Sequence, residues 1–177
     1  MIISIEELKK HIATDKSEEE LSVMLKGIES LIRAYTHNNF QNRNYRFNSK
    51  VKAPNCLLYA SNLYTVGDTL QISGSRLNNG LYTISGIDMD NGIITLNGPV
   101  RDEARVLVTK VSYPDDIKTG VINMLRWDID NRDKVGIQSE SISRHSVTYF
   151  NMDNDNSSVG YPKSLTGFLK PYIKARF

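Results

Sequence analysis

The chain has 177 residues, a net charge of +2, and 40% hydrophobic and 8% aromatic residues. This size predicts one domain, or one domain carrying an insertion, and the apolar content excludes a wholly disordered protein. Residues 1–40 carry 5 basic and 7 acidic side chains, 41–112 carry 8 and 5, and 113–177 carry 9 and 8, which excludes a basic arm or an acidic tail and argues against nucleic acid as the main partner.

Two helices are predicted to open the chain, each from a capping box. Ser4 with Glu7, and Ser17 with Glu20, set a hydroxyl and a carboxylate three residues apart, where each satisfies free N–H groups of a first turn. Ile5, Leu8 and Ile12 give the first helix a narrow apolar stripe. Leu21, Met24, Leu25, Ile28, Leu31, Ile32 and Tyr35 give the second a sustained one, before Thr36-His37-Asn38-Asn39 stops it.

From about Tyr45 to Ser112 the period changes to alternation. Residues 69–72, 81–84, 93–96 and 106–109 are rich in β-branched side chains. Gly67-Asp68, Asn78-Asn79-Gly80, Asp90-Asn91-Gly92 and Asn97-Gly98-Pro99 separate them as turns, with tight reversals expected at the Asn-Gly pairs. Four or five short strands suffice for a small antiparallel β-barrel, expected as an insertion over 45–112 between the helical stretches 1–44 and 113–177.

Helical periodicity returns at Pro114, with Asp115 and Asp116 suited to the positive end of a helix. Ile117, Val121, Met124 and Leu125 make one face, flanked by Ile122, Ile129 and Trp127. So wide an arc fits either a central helix packed on several sides or a helix that also meets another subunit. Residues 136–149 read as a glycine-started loop or hairpin with Val147 and Tyr149 alternating, and 151–158 as a polar connection. Leu165, Phe168, Leu169, Tyr172 and Ile173 return to helical spacing, with a kink expected from Gly167 and Pro171 before the basic-aromatic end Lys174-Ala175-Arg176-Phe177.

Catalytic and metal-binding chemistry finds no support. Counting from Asp88, a calcium loop would need a ligand where Gly92 stands and a glutamate where Pro99 stands; Asp153-Asn154-Asp155-Asn156 fails in the same way. His11, His37 and His145 fall on three separate elements without metal spacing. The lone Cys56 excludes an intramolecular disulfide and a cysteine zinc cluster, fits a reducing cytoplasm, and beside Leu57 and Leu58 reads as a packed apolar residue. Nucleophile elbows and phosphate loops are absent, so no enzyme and no cofactor are expected. The opening Met1-Ile2-Ile3-Ser4-Ile5-Glu6-Glu7 is not a signal peptide, and no apolar run nears the ~20 residues that cross a bilayer, so a soluble protein without membrane partners is expected. One binding alternative is open. Tyr45, Arg46, Phe47, Lys50, Lys52, Tyr59, Tyr64, Arg76 and Tyr82 could make the barrel a single-stranded nucleic-acid binding module, with aromatic platforms among basic groups.

The order of landmarks resembles the head–tail connector proteins of tailed bacteriophages, also called adaptor or head-completion proteins. The chain opens with a short helix, an acidic Ser-Glu-Glu-Glu turn and a longer helix; Tyr113-Pro114-Asp115-Asp116-Ile117 precedes a helix holding Trp127-Asp128. Gly136-Ile137-Gln138-Ser139-Glu140-Ser141-Ile142, followed by Ser146-Val147-Thr148-Tyr149, resembles the family's Gly-hydrophobe-x-Ser-Glu-Ser segment and its Ser-x-x-Tyr ending. The end from Pro162 through Leu169 and Tyr172 is similar to the family's closing helix. The match covers about 1–40 and 113–177 and departs from the minimal family form by the β insertion. Ser143-Arg144 also stands where the family has a glycine-aspartate.

The resemblance implies an α+β protein, a small four-helix connector-type bundle interrupted by the barrel. It implies a virion protein assembled in the bacterial cytoplasm: a ring of identical subunits, usually twelve, that docks beneath the portal protein. The ring extends the channel through which DNA passes and offers a platform to a tail-side connector or stopper. Portal contact falls on Phe168, Leu169, Tyr172, Ile173 and Phe177, and ring or tail-side contact on Ile137, Ser139, Ser141, Ile142 and Tyr149.

Overall fold

The computed structural model describes residues 1–135, 139–142, 145–148 and 156–175. The chain divides into two compact units, one formed by Asn39–Tyr113 with Met1, the other by Ile2–Asn38 with Pro114–Phe177.

The first unit is a closed antiparallel barrel. Its strands are β1 (Gln41–Lys52), β2 (Cys56–Leu57), β3 (Thr69–Ser73), β4 (Gly80–Asp88), β5 (Ile93–Leu96) and β6 (Glu103–Val111). They run in the order β1-β2-β5-β4-β3-β6, and β6 pairs with β1 to close the ring. Closure removes every open strand edge. Register pairs such as Val51↔Leu57 and Ile72↔Val108 set inward hydrophobes opposite one another. Leu57, Leu70, Ile72, Ile84, Ile94, Leu96, Val106 and Val108 fill the interior. Each buried side chain of this size contributes on the order of 1.5–3 kcal/mol. β1 slips register between Asn42 and Arg46 and again between Ser49 and Val51, and such bulges bend a long strand around a narrow barrel.

The Asn-Gly pairs at 79–80 and 91–92 behave differently. Gly92, at φ 65, reverses the chain between β4 and β5, where Asp88 accepts hydrogen bonds from Asn91 N at 3.0 Å and Asn91 Nδ2 at 2.7 Å. A tight reversal does not occur at Asn79-Gly80, because Gly80 already pairs with Ile72 inside the sheet. Asn78 is instead a buried strut. Its Nδ2 donates to Arg101 O and to Glu103 Oε2, both at 3.0 Å, and its Oδ1 accepts from Arg101 N at 2.8 Å.

The second unit holds α1 (Ile5–Lys9), α2 (Glu18–Thr36), α3 (Asp115–Asn131) and α4 (Lys163–Thr166), which continues as a 3-10 turn over Gly167–Tyr172. α2 starts from a complete capping box between Ser17 and Glu20, whereas Ser4 gives α1 only the half in which its hydroxyl accepts from Glu7 N. Leu21, Leu25, Ile28 and Ile32 of α2, and Ile117, Val121, Met124 and Leu125 of α3, are buried. Pro114 caps α3 rather than sitting in its first turn.

The expected four-helix bundle is not formed. α1 has 5 residues and α4 has 4, leaving α2 with 19 and α3 with 17 as the long helices. The cause at the C-terminal end is local: Pro171 has no N–H to give to a helical ladder, and the segment tightens into a 3-10 turn instead. The protein is α+β: among the described residues one unit is a closed six-stranded barrel and the other holds two long and two short helices.

Two small ribbons complete the second unit. β7 (Ser139–Ile142) pairs with β8 (His145–Thr148) in the register Ser139↔Thr148 to Ile142↔His145. β9 (Ser157–Ser158) pairs with β10 (Tyr161–Pro162) across a turn in which Val159 has φ 49 and Gly160 φ 80.

Candidate docking surfaces

The C-terminal segment is fastened to α3 along its length. Gly120 is buried on α3, and a Cβ placed there would meet the Phe168 ring at 2.2 Å, so the glycine makes the room in which the ring packs. Leu169 is fully buried beside it. Tyr172 directs its hydroxyl between the two carboxylate oxygens of Asp116, 2.7 Å from each. That hydrogen bond, then burial, holds the Tyr172 phenol above its ordinary pKa. Beyond Tyr172, Lys174 N donates to Thr36 O at 2.8 Å. Asp116, Thr119, Gly120, Asn123, Ser164, Leu165 and Phe168 line a shallow groove of about 420 Å³.

A second clasp holds the β9–β10 ribbon. The Arg132 guanidinium lies 4.8 Å from the ring centres of both Trp127 and Tyr161, pairs with Asp128 one helical turn away, and donates to Gly160 O at 3.1 Å. Tyr161 donates its hydroxyl to the other oxygen of Asp128. Cation, carboxylate, phenol and two aromatic faces thus satisfy one another.

These clasps redistribute the residues assigned from sequence. Phe168, Leu169 and Tyr172 come together, but on α3 of their own unit. Ile173 is 46% exposed and remains on the surface. Ser139, Ser141 and Ile142 lie on β7. Ile137, Tyr149 and Phe177 lie outside the described residues. Sequence reasoning missed Asp116, Gly120, Asp128 and Arg132 as the groups that hold these segments. The signals were present in the Asp128–Arg132 spacing and in a glycine inside an apolar helical face.

In the barrel, the aromatic residues pack on one another at one end. Phe47 stacks on Tyr59 with ring centres 3.9 Å apart, and Tyr64 meets Phe47 edge-on at 5.3 Å. Lys110 lies 5.6 Å from the Tyr45 ring centre and pairs with Asp68 at 2.6 Å. Burial, helped by Tyr59, Asp68 and Tyr45 nearby, pushes the Tyr64 phenol up to about 12. Tyr82 fits between Gly80 and Gly98 and donates to Asn78 O. Of the rings proposed as base-stacking platforms, Phe47 and Tyr64 are buried in the barrel core, and Tyr45, Tyr59 and Tyr82 pack half-buried against it.

Cys56 is half-buried on β2. Among the described residues no group of three or more His, Cys, Asp or Glu is arranged to hold a metal ion, and no helix is long and apolar enough to cross a membrane. No protein-family model matches the chain, and no curated protein matches it.

Proposed function

We propose that the chain is a structural subunit of a phage head–tail connector, forming a ring beneath the portal and offering a platform to the tail-side protein. The observation that carries this reading is the β7–β8 ribbon, which falls on the segment resembling the family's Gly-hydrophobe-x-Ser-Glu-Ser and Ser-x-x-Tyr landmarks. A ribbon of two strands, with no third described strand paired to either, leaves backbone donors and acceptors on both edges. A neighbouring subunit or the tail-side protein pairs with such edges by strand addition. The groups on α3 and the C-terminal segment are engaged in binding and packing, with no arrangement aimed at bond chemistry.

Portal contact then falls on the exposed Ile173, presented by the fixed anchor of Phe168, Leu169 and Tyr172. Mixing the purified chain with its portal ring, followed by negative-stain imaging, tests the reading. A second ring stacked on the portal is the expected result; monodisperse protein that leaves the portal bare overturns it. Ile173→Asp, a surface change, is expected to weaken portal capture while keeping the thermal unfolding of the parent. The single-strand-binding alternative needs open ring faces, and the packing of Phe47, Tyr59 and Tyr64 argues against it.

A further inference from the structure

Three Asn-Gly pairs, at 79–80, 91–92 and 97–98, lie in the barrel unit. Such a pair can convert itself. The glycine nitrogen gives its proton to base and attacks Cγ of the asparagine carboxamide, the Cγ–Nδ2 bond breaks, and ammonia leaves. Water then opens the five-membered succinimide to aspartate, or to isoaspartate, whose extra methylene enters the backbone. Glycine favours the attack because no Cβ crowds the nitrogen.

The three carboxamides stand in different electrostatic surroundings. Asn79 is tied at both ends to one residue: its Oδ1 accepts from Ser75 N at 2.9 Å, its Nδ2 donates to Ser75 O at 2.6 Å, and Gly80 already belongs to the β3–β4 ladder. At Asn91 the leaving nitrogen is the end that is held. Its Nδ2 donates to Asp88 Oδ2 at 2.7 Å, and a carboxylate acceptor pushes electron density onto the amide and resists the loss of ammonia. Asn97 has the reverse arrangement. Thr83 N donates to its Oδ1 at 2.9 Å, while its Nδ2 takes part in no hydrogen bond among the described residues, and neither does Gly98 N. The donor is therefore aimed at the oxygen on which negative charge gathers as Cγ is attacked, the task of an oxyanion-hole N–H. Thr83 also steadies the pair from the other side, accepting from Asn97 N at 2.9 Å. Asn97 is exposed, which gives water access for the second step.

We propose that Asn97-Gly98 is a self-modification site, which in the folded protein forms its succinimide ahead of the other two pairs and sets a negative charge at the end of β5. The two products differ in their effect on the barrel. Aspartate keeps an oxygen within reach of Thr83 N. Isoaspartate lengthens the backbone between two anchored positions, since Leu96 N donates to Asn55 O at 2.8 Å and Val100 N to Pro54 O at 2.7 Å. The site stands apart from the connector reading, which portal capture tests separately.

The experiment ages the full chain in mildly alkaline buffer, folded in one arm and unfolded in urea in the other. Peptide mass spectrometry follows the replacement of –NH2 by –OH at each pair, and enzymatic methylation counts isoaspartate. In the folded arm Asn97 is expected to react about tenfold faster than Asn79 or Asn91, a small part of the roughly 10²–10³-fold that such a donor supplies in an enzyme, and in urea the three rates should draw together. Gly98→Ala places a methyl at an ordinary contact distance of 3.5 Å from the Tyr82 ring, so it is expected to keep the parent's unfolding midpoint while slowing conversion at 97 severalfold. Faster conversion at 79 or 91, the same ratio of rates folded and unfolded, or undiminished conversion in Gly98→Ala would each overturn the proposal. Isoaspartyl-enriched protein should also unfold at a lower temperature than Asn97→Asp, and an equal midpoint would refute the lengthening argument.

Discussion

Tyr161 donates a 2.6 Å hydrogen bond to one oxygen of Asp128, while the other oxygen is held by Arg132. The carboxylate thereby joins the body of α3 to the β9–β10 ribbon, and Arg132 lies against the Trp127 and Tyr161 rings as the filling of the joint. Tyr161→Phe removes one charge-assisted hydrogen bond and is expected to destabilise the fold by about 1–3 kcal/mol in urea unfolding. Arg132→Lys keeps the charge but loses the planar surface that both rings cover, and is expected to behave more like Arg132→Ala than like the parent. Since Tyr161 and Arg132 share Asp128, their effects should couple; a double-mutant cycle with strictly additive energies would show the clasp is not one unit.

Gly120 and Phe168 make a second, steric prediction. An alanine in place of Gly120 gains helix propensity of about 1 kcal/mol, yet its methyl would overlap the Phe168 ring. Overpacking of this kind costs about 1–3 kcal/mol, so Gly120→Ala is expected to lower the unfolding midpoint or release the C-terminal segment to protease. Combining it with Phe168→Ala should turn the same Gly120→Ala change stabilising. A similar loss in both backgrounds would mean the ring is not the obstacle.

The fold was legible where side chains repeat with one period and hidden where two periods coincide. β3, β5 and β6 announce themselves by β-branched runs, as do the buried faces of α2 and α3. The first half of β1 does not, because Gln41-Asn42-Arg43-Asn44 carries no apolar member, and β2 has 2 residues, too few to show any period. Leu165, Phe168, Leu169 and Tyr172 fit a helical stripe, but spacings of three and four also suit a short α turn running into a 3-10 turn, and Pro171 decides between them. The resemblance implies a bundle helix here, where α4 has 4 residues, and portal contact through Leu169, which is buried. The clasp residues were hidden for another reason: Asp128 and Arg132 look like a solvent-facing helical pair until Tyr161 is brought to them from across the sequence.

Among the described residues, Val159 is the β-branched one held in the left-handed region. It has φ 49 in the β9–β10 turn, a region that β-branched side chains avoid, and it is 36% exposed. Strain of this kind is worth on the order of 1–3 kcal/mol. Val159→Asn, a residue tolerant of the left-handed region, is therefore expected to raise the melting temperature. A fall would mean that the valine side chain contributes more by packing than its backbone loses, and Val159→Gly would then fall further.

Stability should also decline at both ends of the pH scale, through different groups. Burial raises the Tyr64 phenol from 10.0 to about 12, and Tyr161 shifts in the same direction through burial and its hydrogen bond to Asp128. A group with a raised folded pKa contributes fully below its unfolded value and loses that contribution as pH climbs toward the folded one. For Tyr64 this loss runs from pH 10.0 to about 12, and Tyr64→Phe should flatten that alkaline limb. Glu103 works in the opposite sense. Hydrogen bonds from Ser75 and from Arg76 N hold its carboxyl below the ordinary value of 4.5, so its contribution is present above that pH and is lost as acid protonates it. Glu103→Gln should weaken the fold at neutral pH yet make it less sensitive to acid, as read from unfolding midpoints across the acid range. An acid limb as steep as the parent's would place the acid sensitivity outside the Ser75–Asn78–Glu103 strut.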